Sequence, residues 1–172
     1  GTMARSKSTS LDTQLQHTGL APFDPETGAA PVALPSMRTS TVRFRDLDAL
    51  DAAYAARMRG ERRVTYGRVG MDTHAALEDV FCQLEGGERA FLAPSGLAAI
   101  TLTMLSLLSA GDHVLIADCA YGPVRTLDST VLRRFGIDST YCRGTVEAFE
   151  ASRRKETRLL YVESPGSLLF AM

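Results

Sequence analysis

At 172 residues, with 45% hydrophobic and 23% charged side chains, the chain has the composition of an ordinary globular protein. Its net charge of −1 removes the electrostatic case for nucleic acid or an anionic membrane as partner. The longest apolar stretch, Leu97 to Leu108, is broken by Thr101, Thr103 and Ser106 and is too short to span a bilayer.

Residues 1–16 are polar, without the apolar core of a signal peptide, and Gly1-Thr2 ahead of Met3 reads as a cloning remnant. Cys82, Cys119 and Cys142 are odd in number and widely spaced, so reduced thiols in a cytoplasmic protein are expected. His17, His74 and His113 form no H-x-x-x-H and join no carboxylate cluster, so no metal site is expected.

Along the chain, two regions differ. Residues 1–64 form an expected N-terminal arm. Pro22, Pro25, Pro31 and Pro35 keep the stretch to Ser36 extended or irregular. A helix is expected over Asp46 to Arg59, with Leu47, Leu50, Ala53 and Tyr54 on one side. Such an arm needs another surface to lie on, which points to cross-subunit contacts.

Residues 65–172 alternate helix and strand. Asp72 or Thr73 can cap a helix carrying Leu77, Val80, Phe81 and Leu84, ended by Gly86-Gly87. A short strand is expected over Arg89–Ala93, then a helix over Leu97–Leu108 and a strand over His113–Ala117. Val124, Leu127, Val131, Leu132 and Phe135 mark the next helix, stopped by Gly136. A strand over Ile137–Cys142, a helix over Thr145–Lys155 and a strand over Arg158–Glu163 follow. Strands separated by single helices predict an α/β fold with a mostly parallel sheet, helices on both faces, and a ligand site beyond the strands' carboxyl ends.

Four short motifs carry the chemistry. Ser95-Gly96-Leu97 opens a helix, where free N–H groups and the helix dipole suit a phosphate. Tyr66-Gly67-Arg68 offers a guanidinium and a phenol to the same kind of group. Tyr121, in Ala120-Tyr121-Gly122, can stack on a planar heterocycle. Glu163-Ser164-Pro165-Gly166-Ser167 forms a turn with two hydroxyls that can face one cleft. Taken singly, each is more simply an ordinary N-cap, surface arginine, loop tyrosine or strand-ending turn. No G-x-x-x-x-G-K-[ST] or G-x-G-x-x-G is present, which argues against nucleoside triphosphates and dinucleotides.

In order and spacing, the four motifs resemble the Cys/Met-metabolism family of pyridoxal 5′-phosphate enzymes, over about Thr13 to Met172. The segment Pro35 to Phe44 is similar to the family's N-terminal arm. Glu163-Ser164-Pro165-Gly166-Ser167 is most similar to bacterial cystathionine β-lyases. The resemblance implies the aspartate-aminotransferase-like fold (PLP fold type I), with 65–172 as the first part of the cofactor-binding domain. It implies that Ser95, Gly96 and Leu97 hold the cofactor phosphate and that Tyr121 stacks over the pyridine ring. It implies that Ser167 lies by the ring hydroxyl, and that Tyr66 and Arg68 reach the phosphate bound by a neighbouring subunit. A homodimer would then be the minimum catalytic unit and a tetramer the expected assembly. The implied reaction is cleavage of an amino-acid thioether, L-cystathionine, with Tyr121 and Tyr66 able to assist proton transfer.

The family's chemistry needs a lysine that holds the cofactor covalently. The chain has two, Lys7 in the polar tail and Lys155 in a charged stretch, and neither fits that role. The chain is therefore expected to be the first part of a longer enzyme, inactive and aggregation-prone alone. Three alternatives stand beside this reading: a γ-synthase, γ-lyase or sulfhydrylase of the same family, a non-catalytic cofactor-binding fragment, and a generic phosphate-binding α/β domain.

Overall fold

The structure, a computed structural model, describes residues 10–170 and 172. Contacts group into two compact units, one ending at Leu92 and the other beginning at Ala93.

Among the described residues, the first unit has three α-helices and a 3-10 turn, Gly67–Val69, joined by the arm. Helix α1, Leu11–His17, starts where Ser10 Oγ accepts the Thr13 N–H (3.3 Å). It lies in a stretch expected to be irregular: the Ser10 cap opens it ahead of the prolines, and at its end Thr18 Oγ1 donates to Gln83 Oε1 (3.0 Å), so a contact distant in sequence supports it. Helix α2, Leu47–Met58, starts at Asp46, whose carboxylate accepts the Ala49 N–H (2.8 Å). Its buried residue is Ala56, whereas Leu47 and Tyr54, on the expected apolar side, are exposed. Helix α3, Asp72–Glu85, ends at Gly86 in the left-handed region (φ 64°).

Neither Asp72 nor Thr73 caps α3, contrary to expectation. The cap is Met71, whose N–H donates to His74 Nδ1 (3.2 Å). Thr73 lies inside the helix and binds the arm instead. Its Oγ1 accepts the Met37 N–H (2.9 Å) and donates to the Pro35 carbonyl (3.2 Å).

Among the described residues, the second unit is a three-stranded parallel sheet with helices on both faces. The strands are β1 (His113–Ala117), β2 (Asp138–Cys142) and β3 (Thr157–Tyr161), in the order β2-β1-β3. Helix α4, Gly96–Leu107, leads into β1. A continuous helical run joins β1 to β2: α5, Gly122–Leu127, a π-helical turn Asp128–Leu132, and a 3-10 turn Arg133–Phe135. Gly136 (φ 71°) ends the run. Helix α6, Val146–Ser152, joins β2 to β3.

All five β1 residues are buried. Val114 and Ile116 face a core of Met104, Val124, Leu127 and Leu132 from α4 and the α5 run. Leu115 points to the other face, where it lines a groove with Phe149 of α6. Residues of β3 alternate: Leu159 and Tyr161 pack on the core and Leu160 stays half-exposed.

Two expected elements differ. Arg89–Ala93 forms no strand; Phe91 is 81% exposed. A strand exists only through a ladder with a neighbour, and no strand lies beside this segment among the described residues. The helix expected over Thr145–Lys155 stops at Ser152, and Thr157 Oγ1 accepts the Arg154 N–H (2.9 Å) in the turn that follows.

Candidate functional site

The carboxyl ends of β1 and β3 carry the site. From β1 the chain runs through Asp118, Cys119 and Ala120 to Tyr121, which stands at the start of α5. From β3 it runs through Val162 to Glu163 and the Ser164–Ser167 turn. Two hydrogen bonds join these loops. The Tyr121 N–H donates to Glu163 Oε2 (2.9 Å), and the Ser167 N–H donates to the Cys119 carbonyl (2.9 Å). The structure thus joins the loop that carries Tyr121 to the turn that carries Ser167.

Tyr121 is 46% exposed. Among the described residues its hydroxyl has no hydrogen-bond partner, so the half-exposed ring is not tied down by a polar contact. Glu163 is the opposite case. Its Oε1 accepts the Tyr161 hydroxyl (2.5 Å) while Oε2 holds the Tyr121 amide, so both oxygens are occupied. Burial first, then the bond to Glu163, pushes the Tyr161 phenol above its ordinary value, so it stays protonated as a donor. Ser164 and Glu163 line a cleft at this edge with Asp118 and Arg143.

Ser95 caps α4 through its Oγ, which accepts the Ala98 N–H (3.1 Å). The N–H groups of Gly96 and Leu97 have no recorded partner among the described residues, and both residues are exposed. No atom lies within 4 Å of where a Cβ on Gly96 would stand. Helix α4 returns into β1 through the five residues 108–112, so it runs antiparallel to the strand. Its amino end therefore points to the same edge as Tyr121. Two free amides, a positive helix end and open space above them are the donor set a phosphate takes. An uncovered aromatic ring on the same edge suits a planar cofactor, so the residues present fit pyridoxal phosphate.

In the first unit, Tyr66 and Arg68 sit together. The Arg68 guanidinium carbon lies 5.6 Å from the centre of the Tyr66 ring, and both side chains are exposed. Their 3-10 turn is pinned on both sides. Buried Thr65 accepts a hydrogen bond from Arg57 Nη1 (2.8 Å). Gly67 donates its N–H to the Ser40 carbonyl (2.7 Å), and a Cβ at Gly67 would come within 2.7 Å of the Ser40 Cα. Only glycine permits that approach of the arm.

Lys155 lies in the turn before β3, at the amino end of that strand, on the edge opposite Tyr121. It does not reach the site. Lys7 lies outside the described residues. Sequence reasoning missed the role of Glu163, although the residue opens the fourth motif. Its partner at Tyr121 is 42 residues away, and no local pattern signals that pairing.

A family model described as Cys/Met metabolism PLP-dependent enzyme matches residues 12–172. The chain is 56% identical over 170 residues to a cystathionine beta-lyase of Bordetella avium, covering 99% of this chain and 43% of that protein. It is 36% identical over 162 residues to the cystathionine beta-lyase MetC of Bacillus subtilis, covering 91% and 37%. Among solved structures, a cystathionine gamma-lyase from Lactobacillus plantarum complexed with L-serine superposes with a TM-score of 0.75 at 33% identity, over 94% of this chain and 39% of that one. A Campylobacter jejuni protein with N′-pyridoxyl-lysine-5′-monophosphate at its position 205 superposes with a TM-score of 0.78 at 26% identity, over 92% and 38%. The chain therefore spans about two-fifths of the length of the relatives it matches. The α/β unit has the PLP fold type I arrangement of these neighbours, as the motifs implied. On its motifs, its fold and these matches, the chain belongs to the Cys/Met metabolism family of PLP-dependent enzymes.

Proposed function

We propose that the full-length protein is a pyridoxal-phosphate-dependent carbon–sulfur β-lyase that cleaves L-cystathionine to homocysteine, pyruvate and ammonia. The observation that carries this reading is the joining of the Tyr121 and Ser167 loops at the carboxyl ends of β1 and β3, supported by the free Gly96 and Leu97 amides that open α4. The choice of reaction is supported by 56% identity to a protein named cystathionine beta-lyase.

When bound, the cofactor supplies an electron sink for bond breaking at the substrate's α-carbon. The residues of this chain bind and orient it. The amides of Gly96 and Leu97 and the Ser95 turn hold its phosphate, Tyr121 stacks on its ring, and Ser167 lies by the ring hydroxyl. Tyr66 and Arg68 reach the phosphate held by a neighbouring subunit, which makes a dimer the smallest active unit and a tetramer the expected assembly. Tyr121 and Tyr66 assist proton movement at the substrate. The family's chemistry also needs a lysine that holds the cofactor covalently, and Lys155, at the amino end of β3, does not supply it. The three cysteines are unpaired thiols, consistent with a cytoplasmic site of action.

A second reading, γ-elimination, is favoured by the likeness to the Lactobacillus plantarum cystathionine gamma-lyase. One experiment separates them. The full-length protein is incubated with pyridoxal phosphate, reduced with borohydride and weighed intact, and its products from cystathionine are identified. One reduced cofactor per chain together with pyruvate is the expected result. Release of 2-oxobutyrate would replace the β-lyase reading with the γ-lyase one, and absence of any adduct would overturn both.

A further inference from the structure

We infer that Glu163 is a positioning residue that sets the placement of the Tyr121 ring in the cofactor site. The inference rests on the reading above, in which Tyr121 stacks on the cofactor.

Three observations carry it. First, the Tyr121 side chain makes no hydrogen bond among the described residues and is 46% exposed, so no polar contact at the ring fixes where it stands. Its position is inherited from its backbone, and the Tyr121 N–H is held by the Glu163 carboxylate at 2.9 Å. A bond from an amide to an ionised oxygen is among the stronger kinds, and it fixes the residue from which the ring projects.

Second, the carboxylate is held as well as holding. Its other oxygen receives the half-buried Tyr161 hydroxyl at 2.5 Å. Tyr161 is the last residue of β3 and packs its ring against the hydrophobic core. Glu163 cannot rotate without giving up one bond or the other. The rigid strand is therefore linked to the Tyr121 loop through one side chain.

Third, the same two loops are joined a second time, from the Ser167 N–H to the Cys119 carbonyl (2.9 Å). Cys119 in turn sends its Sγ–H toward the Glu163 carbonyl (3.8 Å). The Ser167 contact sets the loop spacing, and the Glu163 contact sets Tyr121 within it. A ring displaced by an ångström loses much of its overlap with a flat cofactor, and misplacements of that size carry large costs in an active site.

The test uses the full-length protein with pyridoxal phosphate as the probe, and reads the visible circular dichroism of the bound cofactor and its dissociation constant. Glu163→Ala is expected to collapse the dichroic signal and raise the dissociation constant roughly tenfold, the scale of one charge-assisted hydrogen bond. Glu163→Gln keeps an acceptor for Tyr121 and can pair with Tyr161, so it should stay within about threefold of wild type and retain the signal. Wild-type dichroism and affinity in Glu163→Ala, with only a lowered melting temperature, would make Glu163 a mere brace and overturn the inference. Should Glu163→Ala fail to fold, Tyr161→Phe removes only the second anchor: a weakened signal supports the link, and an unchanged signal and affinity overturn it. If wild-type protein takes up no pyridoxal phosphate, the cofactor reading itself fails and this inference falls with it.

Discussion

His113 shows how one residue couples three strands. It opens β1, is fully buried, and bridges both neighbours: Nδ1 lies 2.8 Å from Thr157 Oγ1 of β3 and Nε2 lies 2.9 Å from Thr140 Oγ1 of β2. Burial first, and the Arg154 charge second, hold its pKa below the ordinary 6.5, against the opposing pull of Asp138 and Glu156. The folded state therefore prefers the neutral ring more than the unfolded chain does. As pH falls through the unfolded value the unfolded chain binds the proton first, so this contribution to stability is complete above about pH 6.5 and is lost below it. The urea midpoint of the wild-type protein should drop between about pH 7.5 and about pH 5.5. In His113→Gln the drop should shrink, because the amide does not titrate over that range. An equal drop in both proteins would assign the effect to other groups. The strand containing His113 is legible in the sequence, but the two hydroxyls that meet it stand 27 and 44 residues away.

Among the elements, the helical run after β1 is where local pattern and tertiary demand diverge. Its apolar spacing predicts one helix, and residues 122–135 are indeed helical throughout, but the middle widens into a π-turn over Asp128–Leu132. There Asp128, 4% exposed, accepts the Ser139 hydroxyl (2.7 Å) and the Tyr141 hydroxyl (3.0 Å) from β2. Arg125 lies over the Tyr141 ring at 4.2 Å. Burial, followed by the bond to Asp128, pushes the Tyr141 phenol up to about 12, so it remains a donor throughout the physiological range. Asp128→Ala would strand two hydroxyls and should cost about 1–3 kcal/mol for each one left without a partner. Asp128→Asn, which keeps an acceptor, should cost less. Thermal unfolding of the two variants decides this, and equal losses would show that the charge rather than the acceptor matters.

For the whole molecule, the outstanding property is unpaired apolar surface. β3 pairs only with β1, which leaves its other edge without a strand among the described residues. Leu160 is 47% exposed beside it, and Val162, Leu169 and Phe170 are more exposed still. In the first unit Leu77, Phe81 and Leu84, the apolar stripe of α3, are about half exposed. Open edges and apolar patches of this kind recruit other chains. Residues 1–172 expressed alone should therefore self-associate. Sedimentation velocity checks this, and a monomer with a cooperative thermal transition would refute it.

The sequence by itself determined the class of fold and the family. Helix caps at Asp46 and Ser95, stops at Gly86 and Gly136, and the apolar runs of β1 and β3 are local signals, written within a few residues of where they act. The motifs at Tyr66, Ser95, Tyr121 and Ser164 are legible for the same reason. Tertiary structure decided the rest, because it depends on partners distant along the chain. Arg89–Ala93 is written like a strand yet forms none without a neighbour. Thr73 binds the arm rather than capping its own helix. Glu163 becomes a clamp on Tyr121 only when the fold brings residues 42 apart to 2.9 Å, a pairing that no local period or propensity encodes.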